Sequence, residues 1–230
     1  MITNYSDFIK VLLNAGFSMG GGNSEGIFAI INWGWNEALP YETPIRWHCG
    51  NPDIDPWEWR MRVLEERDDI AYSKLFFKKS GFITRDWYPY FLAARRGHSF
   101  ADAYANGTIS HDAKRIYDVI TQNGQLPSHV IKQLAGFSKE SKSAFERALV
   151  ELQMQMYITT CGRQIKISKT GEEYGMPPAV FCTADDFFGK EVFQQAAQIS
   201  VSDAIDKITA QVLKLNPDAQ QKKIIKFIKG

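Results

Sequence analysis

Two aspartates flank a single isoleucine in Asp53-Ile54-Asp55, close to Trp57 and Trp59 in the chain. A carboxylate beside aromatic rings can serve as a base that orients an attacking water molecule. Asp55 also begins a helix-start pattern, because Pro56 follows it directly and Glu58 stands three residues after it. The spacing therefore predicts a helix cap for Asp55 and leaves Asp53 as a candidate catalytic residue.

The histidines and cysteines show neither the spacing of a metal site nor a Cys-x-x-Cys pair. His48 and Cys49 are adjacent, and adjacent side chains usually point apart. The glycines at 20–22 lack the Lys-Ser/Thr ending of a phosphate-binding loop. We therefore expect no metal and no cofactor. The three cysteines, the absence of a long apolar run and the polar start of the chain favour a cytoplasmic protein.

The six tryptophans all lie between Trp33 and Trp87, so the first part of the chain is rich in aromatic residues. Flat aromatic faces can stack an extruded nucleobase. Large aromatic side chains also dominate ordinary hydrophobic cores, and this is the interpretation that we favour. Whether the aromatic part also contains a ligand pocket stays open from the sequence.

The net charge of +1 is distributed unevenly along the chain. Residues 1–108 have a net charge of −2, residues 109–170 of +4 and residues 171–230 of −1. We take these segments as three predicted domains: an aromatic-rich N-terminal unit, a central module and a C-terminal helical extension. A compact basic element is what a phosphate backbone selects, so the central module is the candidate for DNA binding.

The central module has the most legible pattern of secondary structure. Ser110 predicts a helix cap, Pro127 the start of a short helix that runs through Ala135, and Gly136-Phe137 a turn. Leu134 is among the apolar residues of the short helix. Ser138 then predicts the cap of a third helix, whose inward residues are Phe145, Ala148, Leu149 and Leu152. Two strands, Tyr157–Cys161 and Gln164–Ser168, are joined by Gly162-Arg163. This order is typical of a winged helix-turn-helix.

The flanking segments predict further helices and one pair of strands. The predicted fold class is therefore mainly α with small β hairpins, that is, α+β. Helices are expected over Tyr5–Asn14, from Asp55 to about Arg67, over Arg85–Arg96 with Thr84 as the cap, and over 202–213 and 217–229; two strands are expected within Ile70–Thr84.

The outward side of the third helix and the hairpin are the predicted contacts with duplex DNA. Short polar and basic side chains at a helix N-terminus suit the major groove, and a basic hairpin suits phosphates. The candidate DNA-binding residues are Lys139, Lys142, Ser143, Arg147, Arg163 and Lys166.

The run FERALVELQMQMYITTCGRQIKISKTGEEYG resembles the winged-helix unit of the AlkZ/YcaQ-like DNA glycosylase family. DPWEWRMRVL and AYSKLFFKKSGFITRDWYPYF are similar to AlkZ-related sequences, and together the resemblance covers about residues 54–183. It implies tandem winged-helix units and removal of alkylated or crosslinked bases. The family's catalytic signature is a Gln-apolar-Gln or Gln-apolar-Asp triplet that positions water, and Gln153-Met154-Gln155 matches it. Gln153 and Gln155 are therefore candidate catalytic residues by resemblance.

The alternative is a winged-helix module for protein interaction or dimerisation, without DNA-binding or catalytic activity, because a fold does not determine a function. An apolar surface around Val150, Met154 and Met156 would favour this alternative. A continuous positive strip across the candidate DNA-binding residues would favour DNA.

Overall fold

A computed structural model describes residues 1–97, 99–164, 170–172, 175 and 177–230. The chain is α+β, and the strand pairs within each compact unit described below are antiparallel. None of the helices in these ranges is long and apolar enough to cross a membrane. In chain order the elements are α1 (Tyr5–Ala15), β1 (Phe17–Met19), α2 (Pro56–Glu66), β2 (Ile70–Phe76), β3 (Lys79–Thr84), α3 (Tyr88–Arg95), α4 (Phe100–Ala105), α5 (His111–Asn123), β4 (Leu126–Pro127), α6 (Ser128–Leu134), α7 (Lys142–Met154), β5 (Ile158–Arg163), β6 (Ala179–Thr183), α8 (Ala184–Phe188), α9 (Lys190–Ala197), α10 (Val201–Leu215) and α11 (Gln221–Lys229).

The first compact unit consists of Met1–Gly97 together with Lys190–Gly230. Its strands lie in the order β1-β3-β2, with Phe17 opposite Ile83 and Ile70 opposite Thr84. Helices α9, α10 and α11 thus belong to the same compact unit as the N-terminal residues. The distribution of charge along the chain does not indicate this grouping. The buried apolar residues of α1 and α2 pack with the sheet in a core that contains Trp59.

The second compact unit, His98–Gly189, contains α4 to α8 and β4 to β6. Ser110 caps α5 as predicted, because its Oγ accepts a hydrogen bond from the Ala113 amide at 3.2 Å. The strands lie in the order β5-β6-β4, with Leu126 opposite Phe181 and Ile158 opposite Thr183. Residues from α5, α6, α7 and β5 form one core, among them Ile116, Ile131, Leu152 and Ile158.

The prediction that Ser138 caps the third helix is wrong. Helix α7 begins at Lys142, and Ser141 is the residue before it. The Ser138 hydroxyl instead faces the Ser141 amide at 3.4 Å, so it closes the turn that precedes the helix. Leu134, one of the apolar residues of the short helix, has a side chain that is 53% exposed at the end of α6.

The predicted hairpin turn at Gly162-Arg163 is also wrong. Both residues lie inside β5, opposite Val180 and Ala179. The register shifts between Thr160 and Gly162, and a glycine within a strand often marks such a bulge rather than a turn. The partner strand is β6, and residues 165–169 of the predicted second strand lie outside the described residues.

The predicted cap of the helix over Arg85–Arg96 is corrected as well. Thr84 is a buried residue of β3, paired with Ile70, and its carbonyl accepts a hydrogen bond from the Trp87 amide at 3.0 Å. Helix α3 begins only at Tyr88, because Thr84 ends the strand and a turn over residues 85–87 follows before the helix.

Candidate nucleic-acid interface

Helix α7 presents a polar side to solvent along its first two turns. Phe145, Ala148 and Leu149 are buried, whereas Lys142, Ser143 and Arg147 are exposed. This division follows from the helical period, which puts residues three and four apart on the same side. Lys139 is exposed in the turn that leads into the helix. Four of the predicted DNA-binding residues therefore lie in one exposed stretch, which consists of the turn before α7 and the first two turns of that helix.

The turn between α6 and α7 is held by an arginine from α5. The Arg115 guanidinium donates a hydrogen bond to the Ala135 carbonyl and lies 4.4 Å from the centre of the Phe137 ring. Gly136 adopts a left-handed φ of 71°, and a Cβ there would approach the Arg115 Nη2 to 3.0 Å. Arg115 thus holds the end of α6 and the first residues of the turn, although the sequence shows only a turn at Gly136-Phe137.

The other end of α7 is tied to the start of α5. The Glu151 carboxylate accepts hydrogen bonds from the backbone amide and the hydroxyl of Ser110, both at 2.7 Å. A carboxylate near a helix N-terminus is electrostatically favourable. Arg115 thus ties the turn before α7 to α5, and Glu151 ties the last turns of α7 to the start of α5.

The charge on the exposed side of α7 is mixed. Lys142 lies 3.7 Å from Glu146 in a solvent-exposed i,i+4 pair. A hydrogen bond from the Ser138 hydroxyl holds the pKa of Glu140 below its ordinary value, so this carboxylate is ionised at neutral pH. Lys139, Lys142 and Arg147 thus share the surface with two carboxylates. The face is less positive than the charge of its segment indicates.

The two remaining basic candidates belong to the hairpin region. Arg163 lies at the end of β5, is half-buried and is opposite Ala179. Lys166 lies outside the described residues. The structure thus places Arg163 on the sheet rather than at a hairpin tip.

Gln153 and Gln155 lie at the C-terminal end of α7. Gln153 is 3% exposed, and its side-chain amide donates a hydrogen bond to the Leu149 carbonyl at 2.8 Å. Gln155 follows the last helical residue and is half-buried. The helix has therefore ended at Gln155, so the two side chains are not constrained to the directions of a continuous helix. Their catalytic role stays a prediction.

Asp53 and Asp55 take different roles in the first unit. Asp53 is exposed and forms an ion pair with Arg62 at 2.9 Å. Asp55 is completely buried, and its carboxylate accepts hydrogen bonds from the backbone amides of His48, Gly50 and Trp57 at 2.9–3.0 Å. Asp55 therefore caps α2 as predicted and also fixes the preceding loop.

The aromatic residues divide between a core and a small surface group. Trp59 is 1% exposed and packs against Phe8. A cavity beside it has a volume of about 10 Å³, enough for a water molecule but not for a base. At the surface the His48 ring lies 4.7 Å from Trp57 and 6.0 Å from Trp35, which is 69% exposed. The core interpretation thus holds for Trp59, and Trp35 offers an aromatic face to solvent.

A comparison with known protein families gives one match that covers nearly the whole chain. The family model described as AlkZ related matches residues 2–229. No curated protein and no solved structure matches the chain significantly. The match extends well beyond residues 54–183, over which the sequence motifs carried the resemblance.

Proposed function

We propose, from the premise that the chain belongs to the AlkZ-related family, that the protein binds duplex DNA through a winged helix-turn-helix in its second unit. The observation that carries this proposal is the order α5-β4-α6-α7-β5-β6 with the sheet order β5-β6-β4. In this interpretation α6 and α7 are the helix-turn-helix, and α7 is the recognition helix. Strands β5 and β6 are then the two strands of the wing.

The exposed side of α7 carries both positive and negative side chains, so it favours individual contacts with phosphates rather than a strong general attraction to DNA. Lys139 and Arg147 are exposed and lie four residues before and four residues after Ser143 in the chain. Hydroxyl and basic side chains are common ligands of phosphates and base edges. Lys142 must give up its pair with Glu146 to contact DNA. We therefore expect modest affinity with a clear dependence on salt.

Fluorescence anisotropy with a labelled duplex tests this proposal. Each phosphate contact contributes about −0.9 to the slope of log K against log salt. Replacing Lys139, Lys142 and Arg147 by Gln is expected to reduce the magnitude of the slope by about two, since Lys142 is partly engaged by Glu146. The matched control replaces Lys10, Lys190 and Lys207 by Gln, which removes the same charge from α1, α9 and α10. Absence of wild-type binding at micromolar protein and low salt refutes the proposal.

A connection with the repair of alkylated bases is a further part of the proposal, and the family membership supports it. Gln155 is the better candidate for positioning water, because the Gln153 amide is buried and bonded to Leu149. No metal or cofactor is needed for water to attack a sugar carbon as the base leaves. Alkylated DNA incubated with the protein and then cleaved at abasic sites should show excess strand breaks, which Gln155→Ala should reduce. No excess breaks would refute glycosylase activity and leave the DNA-binding proposal intact.

A protein-interaction module is the second candidate function, and one observation favours it. Leu134 is exposed next to the helix-helix turn, where a partner or a second copy of the chain could cover it. The apolar patch expected around Val150, Met154 and Met156 is smaller than predicted, because Met156 is completely buried. If this function is correct, the protein associates in light scattering, Leu134→Glu abolishes association, and DNA has no effect on either result.

A further inference from the structure

A second basic surface lies in the first unit, far along the chain from the proposed recognition helix. We define the α11 lysine surface as Lys78, from the turn between β2 and β3, with Lys222, Lys226 and Lys229 of α11. All four side chains are exposed. The two parts of this surface meet at Phe77, whose ring lies 5.7 Å from the Lys226 Nζ and 5.6 Å from the Lys223 Nζ. The fold thus brings together lysines that are about 150 positions apart in the sequence.

The lysines of α11 share one side of a helix that is firmly held from the other side. Ile224, Phe227 and Ile228 are buried, and the Phe227 ring stacks on Phe76 with the ring centres 4.1 Å apart. Arg95 donates hydrogen bonds to the carbonyls of Phe227 and Ile228 at 2.8 and 2.6 Å. Positions 222, 226 and 229 have the i, i+4, i+7 spacing of one helix face. The packing therefore fixes the helix, and the three lysines lie in a row on its exposed face.

Helix stability does not account for this row. Cations are favourable near the end of a helix, which suits Lys226 and Lys229, but they are unfavourable in the first turn, where Lys222 lies. Like charges four residues apart also repel each other. The helix contains no acidic residue. The row is thus an electrostatic cost to the isolated protein that a polyanion would relieve.

One carboxylate neutralises the lysines beside this surface and leaves the surface itself positive. Glu25 pairs with Lys79 at 2.8 Å and with Lys223 at 2.7 Å. Among the described residues, no carboxylate pairs with Lys78, Lys222, Lys226 or Lys229. By contrast, Lys142 on α7 shares its surface with Glu146. The α11 lysine surface therefore has less negative charge beside its lysines than the exposed side of α7 has.

The turn that carries Lys78 has a backbone conformation that its residue types disfavour. Phe77 and Lys78 have φ angles of 51° and 62° and join paired residues Phe76 and Lys79. A two-residue hairpin turn with both φ angles positive normally uses Asn-Gly or Asp-Gly. Bulky residues with positive φ are rare and persist where their side chains have a role. Here Phe77 lies under the lysines of α11, and Lys78 extends the positive surface.

We propose that the α11 lysine surface is a second phosphate-contacting surface for the backbone of duplex DNA, an inference that rests on the proposed function. The row from Lys222 to Lys229 is about 10 Å long at 1.5 Å per helical residue. One strand of B-DNA places about three phosphates over that distance. Three lysines and about three phosphates therefore match in number, with no requirement for a particular base sequence.

The test replaces Lys222, Lys226 and Lys229 together by Gln, which keeps helix propensity and removes only charge. The control is the variant with Gln at positions 10, 190 and 207 described above. In the duplex anisotropy titration over salt, the α11 variant should lower the magnitude of the slope by between about two and three. It should weaken binding equally for unrelated DNA sequences, and circular dichroism should show unchanged folding.

The outcomes separate this inference from the function on which it rests. If the wild type binds DNA and the α11 variant keeps the wild-type slope, the inference is wrong and the DNA-binding proposal stands. If the α11 variant and the control lose slope equally, general charge explains the effect and the inference is also wrong. If the wild type binds no DNA but binds vesicles of phosphatidylserine through these lysines, the surface is a membrane contact and both proposals fail. No binding to DNA or to the vesicles likewise overturns both.

Discussion

Glu25 offers the sharpest test of the electrostatics of the first unit. Its side chain is 17% exposed and lies between Lys79 and Lys223, whose side chains are 50% and 40% exposed. Hydrogen bonds from these ammonium groups lower the pKa of Glu25 from 4.5 to about 2. A shift of that size corresponds to about 3 kcal/mol. Because solvent screens half-exposed lysines, we expect Glu25→Gln to cost about 1–2 kcal/mol at neutral pH.

The pH dependence of this loss follows from the direction of the shift. A lowered pKa means that the ion pairs stabilise the folded state above about pH 4.5, the ordinary value for the carboxyl. The stabilisation disappears as the pH falls from there towards 2. The free energies of unfolding of wild type and Glu25→Gln should therefore differ at pH 7, differ by less than half as much at pH 3 and converge towards pH 2, as measured by urea titration. Glu42→Gln, an exposed change in the same loop, is the control.

Two results would refute this reasoning about Glu25. The first is a Glu25→Gln variant as stable as wild type at pH 7, since the two lysine contacts would then contribute nothing. The second is a loss of stability that is the same at pH 7 and pH 3, because a lost packing contact would not titrate. High salt should also reduce the difference at pH 7, since ions screen half-exposed pairs.

Three further substitutions test the structural roles assigned above, each by urea unfolding. Asp55→Ala should cost about 2–3 kcal/mol, because three backbone amides lose their acceptor; a loss below about 0.5 kcal/mol would contradict that role. Arg115→Met should cost about 1–2 kcal/mol and weaken DNA binding, since it releases the turn before α7; unchanged binding would contradict its positioning role. Gln153→Ala should cost about 1–2 kcal/mol without changing the DNA affinity of the folded protein, and a change in affinity alone would argue for a direct contact.

Local signals predicted the elements that depend on neighbouring residues. The cap at Ser110 and the cap at Asp55 were readable because a polar side chain preceded an apolar helical pattern. The strands β2 and β3 were readable because two short apolar runs, AYSKLFF and FIT, lie on either side of Lys78. Such features are fixed within a few residues, so composition and spacing identify them.

Features that depend on contacts between residues far apart in the sequence were either missed or predicted wrongly. Gly162 looked like a turn because its strand partner, Val180, lies 18 residues further along the chain. Arg115 gave no signal, since its acceptor is the carbonyl of Ala135. The α11 lysine surface could not be found from segment charges, because its residues come from two segments and the acidic residues of the last segment conceal it. The sequence therefore predicted which helix face forms the candidate site. It did not predict how much negative charge lies on that face.

The most direct test of the central claim is hydrogen exchange of the full chain with and without saturating duplex DNA. If α7 is the recognition helix, exchange should slow in the peptides that cover residues 139–147. Helix α5, whose Ala113, Ile116 and Ile120 lie in the core, should change less than these peptides. Unchanged exchange across residues 139–147 while DNA is bound would contradict the assignment of α7 as the DNA-contacting helix.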